Sequence, residues 1–161
     1  VIFVASDTSV LCYLVQIGQL ELLETLFSRV TIPRQVLNEC LHPGAPNILR
    51  REFSPTPPRF LSVADVEEFL PETATLDPGE AAAITLAWNH RSGSLLLLDE
   101  KQGRAIATSL GLPIRGILGL IVEGQRRGIL DFDPSMAMLR SRGLRIGDEL
   151  LASARKTLGL E

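Results

Sequence analysis

Four acids stand out in this chain for the chemistry they could share: Asp7, Glu39, Glu80 and Asp99. Asp7 closes an apolar run, Val1-Ile2-Phe3-Val4-Ala5-Ser6, and Asp99 closes another, Leu95-Leu96-Leu97-Leu98. Short apolar runs of this kind read as strands buried on both faces of a parallel sheet. A carboxylate at the end of such a strand lies at the sheet's carboxyl edge, where open α/β folds bind ligands. Two acids there, on neighbouring strands, would stand about 5–10 Å apart. Acids clustered at a half-buried edge repel and shift one another's pKa. A divalent ion removes that cost. Mg²⁺ or Mn²⁺ prefers oxygen ligands, keeps several waters, and binds through one or two carboxylates plus a substrate phosphate.

Each acid also has an ordinary use. Asp7 can cap the helix that follows it. Asp77-Pro78-Gly79-Glu80 reads as a helix start, with Asp77 at the N-cap, Pro78 at the first helical position and Glu80 bonding back in a capping box. Asp99-Glu100-Lys101-Gln102 fits a capping box too. Glu39 can lie on the solvent side of its helix. Taken singly, these are the commoner uses of such residues. The combination is what points to a metal centre.

The neighbours divide in the same way. The hydroxyls of Thr8 and Ser9 either orient the Asp7 carboxylate or stabilise the first helical turn. Lys101 and Arg104, three apart, either hold a phosphate near the metal or form a solvated helical face.

The elements that must position these residues follow from periodicity and punctuation. A strand over roughly 1–6 leads into helical segments 8–16 and 19–27, split by Gly18. Val30-Thr31-Ile32 is a short strand closed by Pro33, and a helix runs from about Arg34 to Leu41. The proline-rich stretch 43–58 reads as a loop with one short helix near Ile48–Phe53, followed by a weak strand near Phe60–Val63. A helix from Pro78 to about His90 turns Ala81, Ile84 and Trp88 inward. Ser94–Leu98 is a buried strand, 100–109 a helix, and Gly111–Arg115 a short strand. Three more helices follow, to about Arg127, over Pro134–Arg142 and over Ile146–Leu158. This order implies a mostly parallel sheet with helices on both faces. It is one domain over 1–161, with 131–161 as a C-terminal helical extension.

Composition bounds the function. The chain has 161 residues, 45% of them hydrophobic, which suits one domain with a sizeable core. A net charge of −3 argues against coating nucleic acid by bulk electrostatics, though not against an enzyme that cuts it. The base clustered late in the chain (Arg126, Arg127, Arg140, Arg142, Arg145, Arg155, Lys156) reads mainly as solvated surface. No apolar run approaches the ~20 residues of a membrane span. The start lacks a basic region and a cleavage site, so it is not read as a signal peptide. Cys12 and Cys40 sit in apolar helical patterns and read as buried small hydrophobes, which suits a reducing cytoplasm. With two histidines and no CxxC, a structural zinc site is not expected.

The ordered set of acids, with its flanks, resembles PIN domains, and within them the prokaryotic branch that includes VapC-type toxins. The residues carrying the likeness are Asp7-Thr8-Ser9, Glu39 in Val36-Leu37-Asn38-Glu39-Cys40, Leu76-Asp77-Pro78-Gly79-Glu80-Ala81 and Leu97-Leu98-Asp99-Glu100. They continue in Gly111-Leu112-Pro113-Ile114-Arg115-Gly116-Ile117-Leu118-Gly119-Leu120 and in Leu139–Leu150. The resemblance implies a three-layer α/β/α domain and an endoribonuclease using Mg²⁺ or Mn²⁺. It implies that Asp7, Glu39, Glu80 and Asp99 form the pocket, with Asp7, Asp99 and then Glu80 as metal ligands. Glu39 would act through water. Many toxins of this type carry a further aspartate just after the Asp99 position. Here Glu100, Lys101 and Arg104 follow, and the resemblance is weakest there.

By the same resemblance the partners would be an RNA substrate, a small antitoxin protein and a second copy in a homodimer. Two other readings stand beside the nuclease. One is a non-catalytic PIN-like domain that binds RNA or a partner. The other is a phosphohydrolase with Asp7 as nucleophile, although such enzymes want a second aspartate two residues on, where this chain has Ser9.

Overall fold

The computed structural model describes residues 2–161, in two compact units that divide between Ile117 and Leu118. The first unit alternates strands and helices in the order β1 (Phe3–Ser6), α1 (Thr8–Gln16), α2 (Leu22–Phe27), β2 (Val30–Pro33), α3 (Arg34–Leu41), α4 (Asn47–Phe53), β3 (Leu61–Ala64), α5 (Pro78–Asn89), β4 (Ser94–Leu97), α6 (Lys101–Ser109) and β5 (Ile114–Arg115). The strands form one sheet in the order β3-β2-β1-β4-β5. All four pairings are parallel. The fold is the α/β class that the alternating pattern predicts.

The connections explain the layers. From β1 the chain steps outward through β2 to β3, then returns past β1 to β4 and on to β5. Right-handed crossovers require steps in opposite directions to carry their helices over opposite faces. By that rule the α1–α2 crossover and the α5 crossover pass over opposite faces, while α3 and α5 pack directly on each other. The direction reverses at the β1/β4 pair, the crevice where open sheets accept ligands.

The core is built from the runs the sequence displays. Val4 and Ala5 of β1 and Leu95, Leu96 and Leu97 of β4 are buried, as buried parallel strands require. In α5 every residue from Gly79 to Ala87 is buried. This helix has no polar stripe, because it packs on β1, β2 and β4 and also meets α3 and α6. Its alanines (Ala81, Ala82, Ala83 and Ala87) permit that close approach. Trp88 is only partly covered, and the Arg91 guanidinium lies over its ring at 4.3 Å. Gly18, at φ +67°, ends α1 in the left-handed region that glycine adopts without strain.

The second unit continues α7 (Ile117–Arg126) into α8 (Phe132–Ser141) and α9 (Asp148–Thr157). Leu120, Ile121, Leu130, Phe132, Met136 and Leu139 are its buried apolar residues. The late basic residues work largely as internal ties. Arg155 grips Asp133 through two nitrogens at 2.9 and 3.2 Å, Arg140 reaches Asp148 at 3.2 Å, and Arg126 and Arg127 both pair with Glu123. Among the described residues no helix is long and apolar enough to cross a membrane.

Candidate functional site

Strand pairing brings the two strand-end acids to one place. Ser6 of β1 stands opposite Leu97 of β4, and the Asp7 N–H donates to the Leu97 carbonyl at 3.1 Å. Asp7 follows directly on β1, and Asp99 lies two residues past the end of β4. Both therefore sit at the carboxyl edge of the β1/β4 pair, where the sequence places them.

Asp7 is 1% exposed. Its Oδ1 accepts the Val10 N–H at 3.1 Å and caps α1, while Oδ2 is buried with no partner. Burial holds its pKa well above the carboxylate range. The Val10 N–H works against this, and the charges of Asp99, Glu80 and Asp77 add to it. Asp7 thus caps α1 and stands at the carboxyl edge of the β1/β4 pair at once.

Glu80 reaches the same region from the first turn of α5. Asp77 caps that helix by accepting the Glu80 N–H at 2.9 Å. Glu80 in turn faces the Asp77 backbone N–H, which pulls its pKa down against the other effects, and Glu80 Oε1 is buried with no partner. Burial, then the nearby Asp77, pushes its pKa up to about 7. Gly103 of α6 makes the room, since a Cβ there would stand 3.4 Å from that Oε1.

Asp99 does not form the capping box its spacing suggests. Glu100 is the N-cap of α6 and makes no side-chain cap. Asp99 instead turns toward the corner after β5, where Oδ2 accepts the Ile117 N–H at 3.3 Å and Oδ1 lies 3.7 Å from Arg104 Nη1. Burial raises its pKa, the Ile117 N–H and Arg104 oppose the rise, and Glu100 adds to it. A Cβ on Gly116 would fall 2.5 Å from both Asp99 Oδ1 and Arg104 Nη1, so a side chain there would displace this pair.

Glu39 is not a solvent-side residue of α3. Its Oε1 accepts the Thr8 hydroxyl, and its Oε2 accepts the Gly79 N–H at 3.1 Å. The carboxylate thus sits at the N-terminus of α5, where free N–H groups and the helix dipole favour an anion. Burial still raises its pKa, against the Thr8 and Gly79 bonds. Thr8 therefore orients Glu39, not Asp7, which corrects the expectation for that hydroxyl. Ser9 makes no side-chain hydrogen bond among the described residues, and Asp7 takes its orientation from the Val10 N–H.

The remaining candidates are less engaged. Lys101 is exposed, and among the described residues it bonds to none of the acids. Arg104 spends its guanidinium on Asp99 instead of standing free for a phosphate. Glu100 is exposed, yet its charge is felt by Asp99 and Glu80. Tyr13 of α1 carries no motif, but its hydroxyl is pushed up by burial and then by Asp99, Glu100 and Asp7. Cys40 is fully buried, its thiol pushed up to about 12 by burial, and Cys12 is half-buried. The glycines Gly79, Gly103 and Gly116 were legible only in part. Gly103 sits inside a predicted helix, where glycine costs about 1 kcal/mol against alanine, and such a cost signals a close approach.

A divalent ion suits this donor set. Two buried acids each hold an oxygen without a partner, and the donors are hard oxygens with no sulfur or imidazole among them. Among the described residues no three potential ligands close into a coordination sphere. Like-charged acids hold apart, and an ion that keeps most of its waters needs only one or two of them. Asp7, Glu80 and Asp99 would hold it, while Glu39 is already occupied by Thr8 and Gly79.

No curated protein and no solved structure matches the chain. The family model DUF3368, described as a PIN domain, matches residues 3–160. With nearly every residue matched, this chain belongs to the PIN-domain family.

Proposed function

We propose that the protein is an endoribonuclease using Mg²⁺ or Mn²⁺ to hydrolyse RNA phosphodiester bonds, as the toxin of a toxin–antitoxin pair. PIN domains are generally nucleases that use divalent metals. The observation that carries the proposal is the pair of buried, partnerless carboxylate oxygens on Asp7 and Glu80, with Asp99 beside them at the β1/β4 edge. A folded protein leaves such groups unpaired at a cost, and a bound ion is a physical reason to keep them.

When bound, a divalent ion supplies a water of lowered pKa and neutralises charge on the phosphate. The chain's own residues set the rest. Asp7, Glu80 and Asp99 gather negative charge at one edge. The Val10 and Ile117 N–H groups fix one oxygen of Asp7 and of Asp99, while the other Asp7 oxygen is buried without a partner and the other Asp99 oxygen faces Arg104. Glu39, pinned by Thr8 and Gly79, stands ready to accept a proton from an attacking water.

The Arg104–Asp99 pair favours one rival, a PIN-like domain that binds RNA or a partner without cutting. The test is cleavage of mixed structured and single-stranded RNA with Mn²⁺, Mg²⁺ or EDTA, beside Asp7→Asn and Asp99→Asn. Metal-dependent cutting that both variants lose supports the nuclease. Folded protein, free of inhibitor, that cuts under no condition moves the assignment to the binding domain.

A further inference from the structure

Next to the acids, α3 and the start of α5 border a groove of about 450 Å³ lined by Gln35, Asn38, Glu39, His42, Ala45 and Pro78. Its size falls within the range of small-molecule sites. Glu39 belongs to both the groove and the acid cluster, so a ligand here adjoins the proposed reaction centre.

The lining is specific in what it offers. Ala45 and Pro78 supply apolar surface. The His42 ring accepts the Gly44 N–H at Nδ1, 2.9 Å away, which puts the ring proton on Nε2. A Cβ on Gly44 would stand 3.1 Å from that Nδ1, so glycine makes room for the ring. Gln35 donates its amide to the Val66 carbonyl at 2.8 Å, and its Oε1 is left buried with no partner. Asn38 is exposed, and its amide carries both donors and an acceptor. No arginine or lysine lines the groove. That set mismatches a phosphate and matches a flat heteroaromatic ring with hydrogen-bonding edges. Single-stranded RNA presents such rings, which stack on side-chain planes and pair through their edges.

We propose that this groove is a nucleobase subsite that reads one unstacked base beside the scissile phosphate, with Asn38 and His42 setting its preference. The proposal rests on the ribonuclease reading and deepens it.

The test pairs binding with cleavage. The full chain, in EDTA, is titrated with the ribonucleoside 5′-monophosphates and with ribose 5-phosphate, followed by the side-chain amide resonances of Asn38. One nucleotide should bind about tenfold tighter than ribose 5-phosphate, the discrimination one paired base edge supplies. Asn38→Ala, His42→Ala and the groove-filling Ala45→Trp should each erase most of that preference. In Mn²⁺ they should also change which base flanks the cut. Equal binding of all ligands, or a preference unmoved by all three variants, overturns the subsite. Cutting whose base preference the variants leave unchanged overturns it too, and leaves the nuclease standing. Base-dependent binding without any cutting keeps the subsite and overturns the nuclease.

Discussion

The Glu39 carboxylate occupies the space that a side chain on Gly79 would need. A Cβ there would stand 2.6 Å from Glu39 Oε2 and closer still to Oε1. The same glycine donates its N–H to Oε2 at 3.1 Å. Gly79→Ala should therefore push Glu39 off its two donors while improving the intrinsic helix propensity of α5 by up to about 1 kcal/mol. Cleavage should fall by roughly 10- to 100-fold, since small displacements of a positioned group are costly, with little loss of melting temperature. A variant that cuts at the native rate would remove Glu39 from the reaction.

Asp7→Asn and Asp99→Asn keep shape and remove charge. Each should abolish metal-dependent cutting. Each should also raise the metal-free melting temperature, because buried acids that repel one another destabilise the fold. Calorimetry in EDTA reads the second effect independently of activity. A fall in stability in both variants would mean that the charges are satisfied and the repulsion account is wrong.

The raised pKa values give pH dependence a definite sign. Glu80 titrates near 7 in the folded protein against an ordinary value of 4.5. The folded chain then holds a proton the unfolded chain has lost, so this contribution is greatest at low pH and declines as pH rises from 4.5 through 7. Asp7, Asp99 and Glu39 shift in the same direction. In EDTA the stability, and with it the melting temperature, should fall between about pH 5 and pH 8, the stability by an amount on the order of 2 kcal/mol for Glu80. Glu80→Gln should flatten that slope. Mn²⁺ should raise the melting temperature more at pH 8 than at pH 5, since it binds deprotonated acids in the folded state. A metal-free protein that gains stability with rising pH would contradict all of this.

Arg104 competes for Asp99. The pair is long, at 3.7 Å, and the arginine side chain is 42% exposed, so it adds less than about 1 kcal/mol to stability. Removing it in Arg104→Ala should leave melting nearly unchanged and tighten Mn²⁺ binding by roughly two- to fivefold, as about 0.5–1 kcal/mol of competition is lifted. Isothermal titration with Mn²⁺ measures this directly. Weaker metal binding in the variant would show that Arg104 supports the centre instead of competing with it.

The sequence by itself determined the strands, the helix starts and the edge at which the acids gather. Buried parallel strands need unbroken apolar runs, and Asp7 and Asp99 end such runs. The helix Arg34–Leu41 is readable because Pro33 and Pro43-Gly44 bracket an apolar stripe. The Pro78 start is readable because Asp77 caps it through a local bond. These are short-range effects, carried by residues within one turn of each other. Tertiary structure decided what each side chain does at that edge. Thr8 and Glu39 are 31 residues apart, Gly79 and Glu39 are 40 apart, and Asp99 meets the Ile117 N–H across 18. Capping-box spacing was right for Asp77 and wrong for Asp99, because the free N–H of a distant helix offered Asp99 a partner that local pattern cannot reveal. Gly79 and Gly116 read only as the openings of helices in one dimension. Packing makes them the spaces that hold Glu39 and Asp99.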